Sequence, residues 1–555
     1  MKFSRRHFMK MTAAAAAARW TPAYAQSTTV PMHSIARGPF QPTWESLAAN
    51  YTTPDWYRDA KFGMWAHWTA QCVPEQGDWY ARRMYIQGEA DYNYHVKTYG
   101  HPSKFGFMEI DNLWKAESWD PERLISLYKR AGAKYFFAMG THHDNFDMFD
   151  SKYQAWNSVK VGPKKDLVGT WAKVVRAAGL KFGVSNHSSW ANRWLQPAYG
   201  YDGEGPLQGV RYDAYTLTKA DGKGKWWEGL DPQDLYTGMV NKMPDGLKSA
   251  AAVSAWVNAN TSLAKSNPRP PEAFCENWYL RCKDLVEKYE PDVLYFDTNE
   301  LPLDQEGLDV VAHYYNLSAA KNGGQAQVVV NGKHILPAHV GAFVEDIERS
   351  TANAIRPDSW QTDTCIGDWH YSRAIAEGNR YQTVQTIVAM LTDIVSKNGN
   401  LMLNIPLRGD GSIDEHEEAF IAGLTAWMDV NSEGIYSTRP WKIYGEGPST
   451  TARPAQAGGR GPAPAYTSQD IRFTTKADTL YAFVGAWPDS RVARIRSLAT
   501  ASPQVAGAKV TAVSLLGYDG KVTWTQDDQG LSVNLPDKAP SQYAVTLKIQ
   551  GVLTK

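Results

Sequence analysis

The residues of this 555-residue chain best suited to chemistry are histidines and carboxylates, and they fall in short clusters. Gly140-Thr-His-His-Asp-Asn-Phe-Asp147 sets His142 beside His143, with Asp144 and Asp147 close behind. Pro291-Asp-Val-Leu-Tyr-Phe-Asp-Thr298 ends an apolar run on Asp297, and Val344-Glu-Asp-Ile-Glu-Arg349 offers Glu345, Asp346 and Glu348. His67 closes the run FGMWAH, and Asn186 and His187 follow LKFGVS. Two carboxylates flanking one bond are what glycoside hydrolysis needs, about 5 Å apart for retention and roughly 6.5–9.5 Å apart for inversion. Asp297 is the first candidate nucleophile, because the apolar residues before it bury its strand and present its tip. The same position also suits a turn or N-cap aspartate. The second acid is open among three: on a strand Asp346 and Glu348 share one face and Glu345 takes the other.

The histidines admit a second chemistry. His67, His142, His143 and Asp144 are residue types that ligate a hydrolytic metal. Adjacent histidines on an extended segment point in opposite directions, which argues against one ion taking both. Neutral imidazoles that donate and accept suit sugar hydroxyls instead. The expectation is therefore a site without metal or cofactor, with Asp144 and Asp147 fixing the loop.

Strands are predicted at 62–67, 133–139, 180–185, 293–297, 326–330, 342–346 and 401–405. Between them, 121–131, 167–178, 278–288 and 381–395 carry apolar residues at spacings of three and four, the helical period. Such alternation predicts an α/β fold with a parallel (β/α)8-type barrel over residues 26–440. The polar residues collect where strands end, the face that carries catalysis in these barrels. Two aperiodic insertions, 199–244 and 258–271, are expected to wall the site. A Pro/Gly/Ala-rich linker is expected within 441–468, and short alternating runs over 469–555 predict an antiparallel β-sandwich.

Composition narrows the partners. The 58 basic and 58 acidic residues balance, which gives no electrostatic footprint for nucleic acid. The 22 Trp and 29 Tyr supply flat apolar faces of the kind that meet sugar C–H edges, so a glycan is the expected partner. Arg5-Arg6, a short alanine run and Ala23-Tyr24-Ala25 read as a twin-arginine export signal over residues 1–25, predicting a periplasmic or secreted protein. That run is shorter than the roughly 20 apolar residues of a membrane span. Of four cysteines, Cys275 and Cys282 lie close enough in sequence to pair in an oxidising compartment or to stay as buried thiols.

Several longer stretches resemble the α-L-fucosidases of glycoside hydrolase family 29. They are WYRDAKFGMWAHWTAQCVPEQGDWYARRMY (56–85), GAKYFFAMGTHHDNFDMFDSKYQAWN (132–157), GPKKDLVGTWAKVVRAAGLKFGV (162–184), KYEPDVLYFDT (288–298) and SKNGNLMLNIPLRGDGSI (396–413). The resemblance implies Asp297 as a nucleophile forming a covalent glycosyl-enzyme, and Glu348 of Glu348-Arg349 as acid/base, with Glu345 and Asp346 behind it. It implies that His67, His142, His143, Asp78 and Trp79 bind the sugar, and that Trp369 lines its C5-methyl side.

Departures from the family pattern bear on specificity. Asp78 stands for a glutamate, Ser185-Asn186-His187 for Tyr-Tyr-Ser or Tyr-His-Ser, and Lys333 stands near an expected arginine. Gln361 replaces a glutamate that part of the family uses as acid/base. Asn186, His187 and Lys333 are accordingly expected among the sugar contacts, with an L-galactose-configured substrate or a silent carbohydrate-binding barrel as alternatives.

Overall fold

A computed structural model describes residues 33–261, 269–450 and 466–553. The expected signal (1–25), part of the second insertion (262–268) and most of the linker (451–465) lie outside the described residues. The chain divides into residues 1–34 and 35–555, and the second unit is described below.

Eight parallel strands close in chain order: β1 (Phe62–Ala66), β2 (Tyr135–Thr141), β3 (Lys181–Asn186), β4 (Val293–Asn299), β5 (Val329–Lys333), β6 (Val344–Asp346), β7 (Trp360–Cys365) and β8 (Gly399–Asn404). β8 returns to β1 with Leu401 opposite Phe62. Large interior rings need small neighbours. A Cβ on Gly63 would fall 2.1 Å from the Tyr135 ring, and one on Gly183 2.9 Å from Phe137.

The four predicted helices form as Pro121–Arg130, Leu167–Ala177, Glu272–Tyr289 and Val384–Ser396. Side chains of Asp120, Asp166 and Thr383 cap three of them by accepting from the third backbone N–H. Helix Gln305–Lys321 escaped the period because it is buried on nearly every side and shows no stripe. β7 escaped because WQTDTC is polar although every residue in it is buried. The connections β5–β6 and β6–β7 contain no α-helix, and beside β6 the barrel wall opens on a groove of about 400 Å³ lined in part by Tyr51, Phe343, Glu345 and Arg356.

Cys275 and Cys282 do not pair. They sit seven residues apart on one helix as buried thiols. At 1.5 Å per residue that spacing is about 10 Å, beyond the roughly 7 Å a disulfide spans.

The C-terminal region adds β9 (Arg439–Glu446), β10 (Ile471–Lys476), β11 (Thr479–Val484), β12 (Val492–Ile495), β13 (Ala512–Leu515), β14 (Thr523–Asp527), β15 (Gly530–Asn534) and β16 (Val545–Gln550). They form antiparallel sheets in the orders β13-β16-β11-β10-β9 and β12-β15-β14. The first of these sheets begins at Arg439, inside the stretch expected to be barrel and linker, because Trp441 is buried against Phe473 (ring centroids 5.0 Å). Tyr481, Phe483 and Ala544 belong to the barrel's own core, and Trp427 Nε1 donates to Ala544 O at 2.7 Å.

Candidate active site

At the C-terminal ends of the strands lies a cavity of about 120 Å³. Its walls are Trp65, His67, Asp78, Trp79, His142, His143, His187, Tyr295, Asp297, Lys333, Glu348, Asp363 and Trp369. Of the residues expected here, only Asn186 is absent. Its Oδ1 accepts from Ser188 N (3.0 Å), Ser188 Oγ (2.8 Å) and Trp278 Nε1 (3.3 Å), so it fixes the turn after β3 and leaves the cavity to His187.

Asp297 is the centre of charge. Lys333 Nζ lies 2.6 Å from its Oδ1, and His143 Nε2 and His187 Nδ1 each lie 3.3 Å from its Oδ2. Burial works against the ionised carboxylate, but Lys333 and the two histidines hold it well below the usual range. Lys333 Nζ also lies 2.7 Å from Glu348 Oε2. One nitrogen bridging two carboxylates puts those oxygens no further apart than the two contacts laid end to end. That closeness is compatible with the about 5–5.5 Å of a retaining pair.

The other two acids are engaged elsewhere. Glu345 pairs with Arg356 at 2.5 Å on the outer side of β6. Asp346 points into the barrel, where Gln361 Nε2 donates to it at 2.9 Å and Tyr295 OH lies 3.4 Å away. Burial, then the neighbouring Asp363, pushes Asp346 well above the carboxylate range, and burial takes Asp363 to about 6. Gln361 is interior too, accepting from Tyr57 OH (2.8 Å) and Tyr135 OH (3.1 Å).

The double histidine departs from the expected geometry. β2 ends at Thr141 and a turn follows, with Asn145 at φ 66°, so His142 and His143 both reach the cavity with ring centroids 4.6 Å apart. Their nitrogens, with those of His67, His187 and His370, form two triads close enough for an ion: His67, His142, His370 and His142, His143, His187. Divergence is therefore no argument against a metal here. Hydrogen bonding describes the rings directly: His143 Nδ1 donates to His187 O (2.8 Å), and His142 Nδ1 accepts from Gln71 Nε2 (2.8 Å), leaving Nε2 as its N–H. Burial depresses His67 and His142 well below the ordinary imidazole value, so both rings are neutral near pH 7.

Behind this wall the loop residues do as expected. Asp144 accepts from Gln71 Nε2 (2.8 Å), and Asp147 is held by Arg281 Nη2 (2.5 Å) and Nε (3.1 Å). Asp78 accepts from the His370 backbone N at 2.8 Å, and the His370 bonds keep it below the usual range against the pull of burial. Trp79 adopts a left-handed backbone at φ 68°, a conformation worth about 1–3 kcal/mol of strain in a bulky residue and typical of ligand clamps. Arg349 stacks over Trp369 at 4.9 Å. Among the described residues neither insertion contributes to the cavity wall: 199–244 instead backs the double-histidine turn, Asn145 Nδ2 donating to Asp234 O and Leu235 O, both at 3.0 Å.

Residues missed from sequence are Trp65, Tyr295, Asp363 and His370. Their only signal was inward phase on a strand or adjacency to Trp369, and aromatics at such positions ordinarily fill a core.

Two acids bridged by a cation at the mouth of a parallel barrel, ringed by tryptophan and histidine, suit a glycoside hydrolase, and the family match bears that class out. Residues 28–433 match the alpha-L-fucosidase family, and residues 465–550 the alpha-L-fucosidase C-terminal domain. The chain belongs to the alpha-L-fucosidase family. It is 25% identical over 526 residues to human tissue alpha-L-fucosidase, covering 92% of each chain. The Thermotoga maritima alpha-fucosidase solved with a mechanism based inhibitor superposes with a TM-score of 0.66 at 26% identity, covering 92% of this chain and 100% of that one. The same enzyme with fucose gives 0.66 at 27% identity over the same shares.

Proposed function

We propose that this enzyme hydrolyses terminal α-L-fucosyl residues with retention. Asp297 attacks the anomeric carbon while Glu348 protonates the departing oxygen. Water then attacks the glycosyl-enzyme, Glu348 takes its proton, and Asp297 leaves as carboxylate. The observation that supports this reading is the Lys333 bridge, which holds the two acids close together and favours ionised Asp297. His67, His142, His143, Asp78 and Trp79 receive the sugar hydroxyls, and Trp369 offers an apolar face to its methyl.

The test is an aryl α-L-fucoside assay run beside the α-L-galactoside. Asp297→Asn is expected to lower kcat by at least about 10³-fold while keeping the fold and sugar binding. NMR of the first-formed product is expected to show α-fucose. Near-wild-type turnover in the variant, or β-fucose first, overturns the mechanism; preference for the galactoside overturns the substrate. The Arg5-Arg6 motif supports export through the twin-arginine route, and an Arg5→Lys/Arg6→Lys chain is expected to stay with the cytoplasmic fraction.

A further inference from the structure

Glu348 stands on a reversal of the chain. β6 stops at Asp346, yet the backbone keeps pace with β7: Ile347 N donates to Gln361 O (2.8 Å) and Arg349 N to Asp363 O (2.9 Å). Arg349 then takes a left-handed backbone, φ 50°, and the chain turns back, Thr362 Oγ1 donating to Ser350 O at 2.7 Å. No α-helix in the connections on either side of β6 holds this segment.

The return limb is fastened at Thr351, whose hydroxyl donates to Asp393 Oδ2 at 2.8 Å. Asp393 lies in the last turn of Val384–Ser396 and is only 6% exposed. Its Oδ2 also receives Lys397 Nζ at 2.6 Å, and its Oδ1 receives Arg472 Nε at 2.6 Å. Arg472 comes from β10 of the C-terminal sheet, and its Nη2 donates to Ser449 Oγ and Tyr466 OH, both at 2.8 Å. Three side chains thus run from the C-terminal sheet to a residue three positions from Glu348. A buried carboxylate between two cations costs desolvation that apolar packing would avoid, while its directional bonds fix a position that packing alone would not. The link touches neither Asp297 nor the cavity histidines.

We propose that Asp393 and Arg472 are positioning residues for Glu348, acting through Thr351, so that docking of the C-terminal sheet sets the geometry of proton delivery. This rests on the reading of Glu348 as acid/base. A misplaced acid harms departure of a basic leaving group and spares one that leaves unaided, so the readout is selective. Phenyl and 2-chloro-4-nitrophenyl α-L-fucosides provide the two cases. Thr351→Val, Asp393→Asn and Arg472→Met are each expected to lower kcat/KM on the phenyl fucoside by about tenfold to a hundredfold, and on the activated one by less than about twofold. Thr351→Val removes one hydroxyl and leaves the buried charges in place, so it decides the matter if the other two variants fail to fold. Equal losses on both substrates, or no loss on either, overturn the link. Glu348→Gln serves as the reference: it is expected to show the same selectivity more strongly and, with azide, to yield α-fucosyl azide. Without that pattern the acid/base assignment itself falls, and the link falls with it.

Discussion

Lys333 does three things with one charge. It neutralises Asp297, approaches Glu348, and sits near the Asp346–Asp363 pair, all of which drive its own pKa well above the ordinary lysine value against burial. Removing it should expose what it suppresses. In Lys333→Met, Asp297 loses its closest cation and keeps a proton to higher pH. The ionised carboxylate is then lost earlier on acidification, and, if Asp297 acts as proposed, the acid limb of the kcat/KM–pH profile moves upward. An unmoved limb would show that the histidines suffice. Asp297 and the double histidine were legible in sequence because a strand-end acid and a paired motif announce themselves. Choosing among Glu345, Asp346 and Glu348 required family resemblance, since three acids in four residues differ only in phase and in where the strand stops. Asn186 was misplaced for the same reason, one residue out of phase with His187.

Among the elements, the insertion 199–244 is built around buried acids rather than apolar periodicity. Asp202 accepts from Tyr92 (2.7 Å) and Tyr212 (2.8 Å), and Asp213 from Tyr85 (2.9 Å) and Tyr236. Burial raises Asp213 to about 7. A folded-state pKa above the unfolded one adds stability at low pH that is lost as pH rises through about 7. Lowering the pH from 8 to 6 should therefore stabilise the protein by about 1 kcal/mol through this group. Asp213→Asn should lack that increment, measured by thermal unfolding at both pH values; an identical increment in the variant refutes the linkage. Such an element is hard to read in advance, because tyrosine–aspartate contacts leave no period. The barrel helices and strands that were expected, each with a cap or an apolar run, were read to within about six residues at their ends. β7 and Gln305–Lys321 were missed where burial is complete or nearly so and patterning vanishes, and Glu415–Asn431 was not anticipated either.

At the scale of the molecule, barrel and C-terminal sheets share a core. Phe483 of β11 packs near Trp427 (6.5 Å between rings), Thr546 Oγ1 donates to Asn431 Oδ1 at 2.7 Å, and Arg472 crosses to Asp393. We therefore expect one calorimetric unfolding transition for the pair. Phe483→Ala should cost about 3–5 kcal/mol and lower that single transition as a whole. Two resolved transitions would mean that the parts are energetically separate. The two architectures were visible in the change of hydrophobic period from helical to alternating. Their fusion was not, because an interface of Trp, Phe and Ala reads the same as the interior of either part.

The bare flank of the barrel around β6 has an evolutionary consequence. Asp297 rises from a strand whose two connections carry the long helices Glu272–Tyr289 and Gln305–Lys321, so any change of its setting disturbs two packed layers. Glu348 sits where no such helix constrains the backbone, beside an open groove. A chain with this fold can thus lengthen, shorten or re-register that segment at little packing cost, whereas a change beside Asp297 must carry two helices with it. Here the hydroxyl of Thr351, bonded to Asp393, is a mooring for a segment that no helix frames.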